Sequence, residues 1–199
     1  KASRPEIVFH LAAQPLVRYS YREPLETFSV NAMGTAHLLE AVRRAKSVRV
    51  CQIITSDKCY ENHGQDHAYR ETDPMGGHDP YSASKGVAEL IVNSYRRSFF
   101  SSLATSAPGV SLSSVRAGNV IGGGDWAVDR ILPDCVRALS KQEPILVRNP
   151  DTVRPWQHVL DALSGYLTLA SEQFYRPIDF SEAWNFGPTE DEGRNVAYV

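Results

Sequence analysis

Short apolar segments and amphipathic helical segments take turns along most of this chain, and that alternation limits its fold more than any other feature. Residues 6–13 (EIVFHLAA), 48–56 (VRVCQIITS), 110–122 (VSLSSVRAGNVIG), 144–149 (PILVRN) and 183–187 (AWNFG) are rich in Val, Ile or aromatic side chains. Each closes on polar or glycine punctuation, so each is expected as a strand. Between them, 24–46 opens on Pro24 and ends in basic residues, while 79–100 repeats Val87, Leu90, Ile91, Ser94 and Tyr95 at helical spacing. Residues 129–141 and 159–174 are expected as shorter helices. Strands separated by helices pair in parallel and need cover on both faces, which predicts a doubly wound α/β sheet.

Ligands of such sheets sit beyond the carboxyl ends of the strands. Three segments reach that rim: Ala12-Ala13-Gln14, Ser56-Asp57-Lys58 and Gly118-Asn119. With 199 residues, 42% of them hydrophobic, the chain can bury a core of one domain or one and a piece. Its net charge of −2 arises from acids and bases mixed along the chain, which argues against a nucleic-acid partner. The densest basic run, VRRAKSVR at 42–49, falls at a helix end, where cations complement the dipole. Cys51, Cys59 and Cys135 are odd in number and have no metal-ligand spacing, so neither a disulfide framework nor a metal site is expected and a reducing cytoplasm fits. No apolar run has the length of a membrane span, and 101–110 (SSLATSAPGV) is expected as a small-residue surface loop.

The chemistry is carried by PYSASK at 80–85. Tyr81 and Lys85 stand four residues apart on one helix face, and an ammonium beside a phenol lowers its pKa from about 10 toward working range. Taken alone, this spacing also suits an ordinary exposed helix turn. With the serine of IITSDK at 53–58 and the earlier FHLAAQ, the set resembles the extended short-chain dehydrogenase/reductase superfamily. NAMGTAHLLEA (31–41), RAGNVIG (116–122) and RPWQHV (154–159) carry the resemblance across the chain.

That resemblance implies a partial Rossmann-like sheet over residues 1–122 and a smaller substrate-binding portion, partly interleaved with it, over 123–199. Ser56, Tyr81 and Lys85 would form a hydride-transfer triad, and Leu11, Ala12, Ala13, Thr55, Tyr81, Lys85 and Val120 would hold NAD. Ser56, Asn119, Arg130 and Arg154 would hold a nucleotide sugar, Arg154 through its phosphate. The helices 24–46 and 79–100 resemble those that pair as a four-helix bundle in homodimers of the superfamily. The Gly-rich pyrophosphate turn and the acidic residue that selects NAD over NADP precede this region in the family, so the chain is expected to be a fragment of a longer enzyme. The glycines of IGGGDW (121–126) come too late in the order to be that turn.

The pair after Ser56 narrows the branch. Nucleotide-sugar 4,6-dehydratases need a base for the C5 hydrogen and an acid for the departing 6-hydroxyl beyond the hydride machinery. Here the pair is Asp57-Lys58, similar to the CDP-glucose 4,6-dehydratase branch, which implies a role in deoxysugar biosynthesis for lipopolysaccharide O-antigen. In that reading Asp57 is the acid and Lys58 the base; Lys58 as an ion-pair partner or a substrate contact is the alternative. A base lysine must be neutral and an acid aspartate protonated, conditions that adjacent opposite charges oppose. A 4-epimerase or 4-reductase of the same superfamily, or a dinucleotide-binding sensor without turnover, would share the triad's surroundings.

Overall fold

The structure, a computed structural model, describes residues 3–62, 68–100, 109–188 and 193–198. Its strands are β1 (Ile7–His10), β2 (Val50–Ile54), β3 (Ser111–Ala117), β4 (Asn119–Ile121), β5 (Val153–Arg154), β6 (Trp156–His158), β7 (Ala183–Phe186) and β8 (Arg194–Asn195). Its α-helices are α1 (Val17–Arg22), α2 (Pro24–Phe28), α3 (Gly34–Arg44), α4 (Pro80–Tyr95), α5 (Ile131–Ser140) and α6 (Val159–Tyr175).

Strands β1, β2, β3 and β7 form a parallel sheet in the order β1-β2-β3-β7. Ile7 pairs with Val50, Val50 with Ser111, and Ser114 with Ala183. Both faces are covered, as a parallel sheet requires. On one face Leu39 and Val42 of α3 and Val92 of α4 pack on Cys51, Ile53 and Leu112. On the other, Ala162, Tyr166 and Leu169 of α6 pack with Val115, Ala117, Ile54 and Trp184. Gln52, polar in the middle of the buried strand β2, points its amide toward α6 and donates to the Tyr166 carbonyl and to Gln173 Oε1, each at 3.0 Å. The predicted α/β class and parallel sheet are those observed.

Several boundaries differ from the sequence expectation, each for a physical reason. Residues 24–46 contain a π-helical turn, Ser29–Met33, between α2 and α3, and 79–100 end in a second one, Arg96–Phe100. The expected strand 110–122 breaks at Gly118, and β4 leaves the main sheet to pair with β6. A Cβ at Gly118 would lie 2.5 Å from Pro155 Cγ and 3.3 Å from Asp57 Oδ2, so only glycine allows the chains to cross there. PILVRN forms no strand, and Leu146 is 82% exposed: an apolar run without a neighbouring edge has nothing to pair with. Helix α5 begins two residues later than expected because Asp129 adopts a left-handed φ of 63°. Of the loop expected at 101–110, residues 101–108 lie outside the described residues. Helix α6 and strand β7, from the second half of the chain, return to the main sheet. Among the described residues no helix is long and apolar enough to cross a membrane.

Candidate active site

Strand β2 delivers the chain to the rim and ends there. Past Ile54 the backbone tightens into a 3-10 turn over Asp57–Cys59, capped by Ser56. Ser56 Oγ accepts the Lys58 backbone N–H at 3.2 Å and donates to Asp57 Oδ1 at 3.0 Å. Facing this turn is the start of α4, where Pro80 occupies the first helical position and the Asp79 carboxylate accepts the Ser82 N–H at 3.0 Å. Tyr81 follows at once; its N–H donates to Ser20 Oγ at 3.1 Å, and its phenol lies beside Ser56, which draws its pKa down against burial. One turn further, Lys85 is 6% exposed, and its Nζ donates to the Ile54 carbonyl over a long 3.5 Å. Ser56, Asp57, Tyr81 and Lys85 thus meet at one strand end.

Electrostatics at this point depart from the simple expectation. The Tyr81 phenol lies above its ordinary pKa, not below it. Burial is the main cause, with Asp57 and Asp79 adding to it, while Ser56 and the Arg130 charge push the other way. Lys85 is itself pushed down to about 8 by burial, against the pull of Glu89 and Cys59. A low-dielectric site penalises whichever member of the pair is charged. His10, at the end of β1, is held below its usual value by burial and then by the Lys85 charge, which marks it as a neighbour of that ammonium. Lys58 is half-buried and takes part in no ion pair among the described residues, so it is not the salt-bridge partner of Asp57.

The residues expected to hold a dinucleotide divide between two settings. Leu11, Ala12 and Ala13 leave the end of β1 along the rim, Leu11 and Ala12 exposed. They are steadied by Asn31 of the π-helical turn, whose side chain accepts the Gln14 N–H at 2.8 Å and donates to the Gln14 carbonyl at 3.0 Å and to Ser84 Oγ at 2.9 Å. Thr55, by contrast, directs its hydroxyl to Glu89 Oε1 at 2.5 Å, and Val120 packs against the α6 side of the core.

The residues expected to hold substrate are spread further. Asn119 opens β4 opposite Trp156. Arg130 pairs with Asp125 at 2.8 Å, and its charge is felt by Tyr81. Arg154 lies in β5, one residue before the Pro155 that packs on Gly118. Sequence reasoning missed Glu89, Arg116 and Tyr60, which form a buried polar cluster directly behind the turn. A signal was present: Glu89 continues the 81, 85 spacing by another four residues, and Arg116 interrupts an otherwise uncharged strand.

The parallel α/β sheet brings Ser56, Tyr81 and Lys85 together beyond the end of β2. The family model described as GDP-mannose 4,6 dehydratase matches residues 1–179, and the chain belongs to that family. It is 53% identical over 196 residues to the CDP-glucose 4,6-dehydratase of Salmonella typhimurium, covering 98% of this chain and 55% of that protein. It is 32% identical over 183 residues to the GDP-mannose 4,6-dehydratase of Vibrio cholerae, covering 89% of this chain and 46% of that one. Among solved structures, MoeE5 in complex with UDP-glucose and NAD superposes with a TM-score of 0.79 at 26% identity, covering 97% of this chain and 59% of that chain. The chain spans about half the length of the curated relatives it matches.

Proposed function

We propose that this chain is the catalytic part of a cytoplasmic NAD-dependent 4,6-dehydratase acting on CDP-glucose and yielding CDP-4-keto-6-deoxyglucose. One observation carries the reading: the Ser56 hydroxyl is hydrogen-bonded to the Asp57 carboxylate at the end of β2, beside the Tyr81 phenol, and the Lys85 ammonium reaches the Ile54 carbonyl of the same strand. The 53% identity to a CDP-glucose 4,6-dehydratase supports the choice of base and sugar.

The residues present suit a nicotinamide dinucleotide. Lys85 is a buried ammonium with one long hydrogen bond among the described residues, which leaves it donors for ribose hydroxyls, and Ala12 and Ala13 keep the adjoining rim low. Leu11, Thr55 and Val120 would complete the contact. When bound, NAD supplies the acceptor for the C4 hydride and its donor at C6. Tyr81, which must first give up its own proton against the burial that raises its pKa, takes the 4-hydroxyl proton as the phenolate, with Ser56 holding that oxygen in line. The resulting ketone acidifies the C5 hydrogen, which Lys58 removes, while Asp57 delivers a proton to the departing 6-hydroxyl. Asn119, Arg130 and Arg154 hold the nucleotide sugar, Arg154 by paired hydrogen bonds to phosphate. Exposed Leu25, Met33, Val87 and Leu90, on α2, the π-helical turn after it and α4, support a homodimer through a four-helix bundle.

Full-length enzyme given C4-deuterated CDP-glucose is expected to carry the label to the C6 methyl of the product. Deuterium retained at C4, or washed into solvent, would overturn the proposal. A C4-inverted sugar with no methyl group would select an epimerase instead.

A further inference from the structure

The reactive turn is gripped from behind by one buried ion pair. Glu89 and Arg116 meet at 2.7 Å, and both side chains are 4% exposed. Glu89 uses its second oxygen, Oε1, to accept the Thr55 hydroxyl at 2.5 Å. Arg116 uses its second terminal nitrogen, Nη1, to donate to the Tyr60 hydroxyl at 2.6 Å and to the Glu71 carbonyl at 3.2 Å. Tyr60 in turn donates to Asn185 Oδ1 of β7 at 2.7 Å. Residues 55 and 60 are the two flanks of Ser56-Asp57-Lys58-Cys59. A single pair, one member on α4 and the other on β3, therefore holds both ends of the segment that bears the acid and the base.

We propose that Glu89 and Arg116 are a positioning pair that fixes the Ser56–Cys59 turn against Tyr81 and Lys85 by holding Thr55 and Tyr60. Stability alone is a poor reason for such a pair. Desolvating two charges costs several kcal/mol each, and well-packed apolar residues in the same place are often neutral or stabilising. Arg116 Nε even lacks a hydrogen-bond partner among the described residues, which a purely stabilising arrangement would avoid. What an ion pair provides and an apolar contact does not is direction: two oxygens and two nitrogens at fixed angles, one of each turned to the other member and the others to Thr55 and to Tyr60 and Glu71. Burial pushes the Tyr60 phenol up to about 12, so it stays a neutral hydroxyl that accepts from Arg116 and donates to Asn185 at working pH. Glu89 also shares the face of α4 that carries Tyr81 and Lys85, so the pair ties the turn to the same rigid element as its catalytic partners.

The kinetic part of the test rests on the function proposed above; the exchange part does not. Two double variants of the full-length enzyme separate grip from stability. In Glu89→Leu/Arg116→Met the pair is replaced by apolar bulk. In Thr55→Val/Tyr60→Phe the pair stays while both grips, and with them the Tyr60–Asn185 bond, are cut, and rates are taken at saturating NAD to offset any loss of the Thr55 contact to the dinucleotide. Hydrogen exchange of the amides of residues 56–60 is expected to rise on the order of tenfold in both, while exchange in β2 and β3 stays near wild type. On CDP-glucose, kcat is expected to fall roughly 10- to 100-fold with KM within about twofold, because the turn's groups act in the transition state. Unchanged exchange over 56–60 in the grip-cut variant overturns the proposal whatever the substrate, and so does a rise shared equally by the whole sheet. Wild-type enzyme that turns over no nucleotide sugar would refute the functional reading, and the exchange comparison would still decide this one.

Discussion

The rim built by β2 and α4 and the segment from 123 to 158 face the same region of the molecule, yet they are made in opposite ways. At the rim, Lys85, Glu89 and Arg116 are nearly buried, and Glu89 and Arg116 are tied by short hydrogen bonds that run from helix to strand. In the second segment Trp126 is 63% exposed, the strands are two or three residues long, and the fixed points are surface ion pairs such as Arg130 with Asp125 and Asp129 with Arg18 and Arg148. Groups that move protons need placement to fractions of an ångström, which buried directional bonds supply. A surface that receives a bulky nucleotide can be held by exposed pairs worth under about 1 kcal/mol each. Rigidity is concentrated where chemistry is proposed, and adaptability where recognition is proposed.

The comparison breaks most plainly at Tyr81. If the rim is the reacting centre, Tyr81→Phe removes one hydroxyl and should lower kcat by about 10²- to 10⁴-fold, the range for a general acid–base group, with KM little changed. Steady-state rates of 4-keto-6-deoxy product formation by the full-length enzyme measure this. A loss of less than tenfold would move the proton transfer elsewhere and dissolve the distinction between the two regions.

Lys85 sharpens it by separating function from stability. Its folded pKa is lowered to about 8 from the unfolded value near 10.5, so the folded protein binds its proton less tightly. The resulting penalty is fully present below pH 8, fades as pH rises from about 8 to 10.5, and is absent above. Lys85→Met should therefore unfold at higher denaturant at pH 7, by about 2 to 3 kcal/mol, and lose that advantage by about pH 10.5. Activity is expected to fall roughly 10²-fold in the same protein. A variant less stable at pH 7 would mean that the buried ammonium is well solvated by its surroundings and that burial exacts no penalty at the rim.

Legibility in the sequence followed the same division. The strands of the main sheet and the long helices were readable because burial on one face or two imposes a period, as in Val50 to Ile54 or in Leu39 and Val42. Tyr81, Lys85 and Ser56 were singled out by their resemblance to a family pattern, since the Tyr81–Lys85 spacing alone also suits an ordinary helix turn. Nothing local marks the pairing of β4 with β6, which depends on Gly118 yielding to Pro155, far later in the chain, or that of β5 with β8. PILVRN misled because its apolar content suggests a buried strand, whereas Ile145 and Leu146 stay exposed with no edge to pair with. The phenol's pKa direction was misjudged for a related reason: spacing reveals that Lys85 is near, and only the fold reveals how little solvent reaches either group.

The smallest effect is expected at Asp129, the tie between the 123–158 segment and α1. Its carboxylate meets Arg18 at 2.9 Å and Arg148 at 3.3 Å, all three side chains at least one-third exposed, and its backbone sits at a φ of 63°. Asp129→Asn removes the charge but keeps a residue that tolerates the left-handed region, so backbone strain is unchanged and only screened electrostatics are lost. The change in unfolding free energy should stay within about 0.5 to 1 kcal/mol and shrink further at about 1 M salt, where the screening length falls to about 3 Å. KM for the nucleotide sugar is expected to shift by no more than about threefold with kcat unaltered. A large loss of kcat would mean that this tie governs the geometry of the reacting groups, and that the second segment is as rigidly coupled to the chemistry as the rim itself.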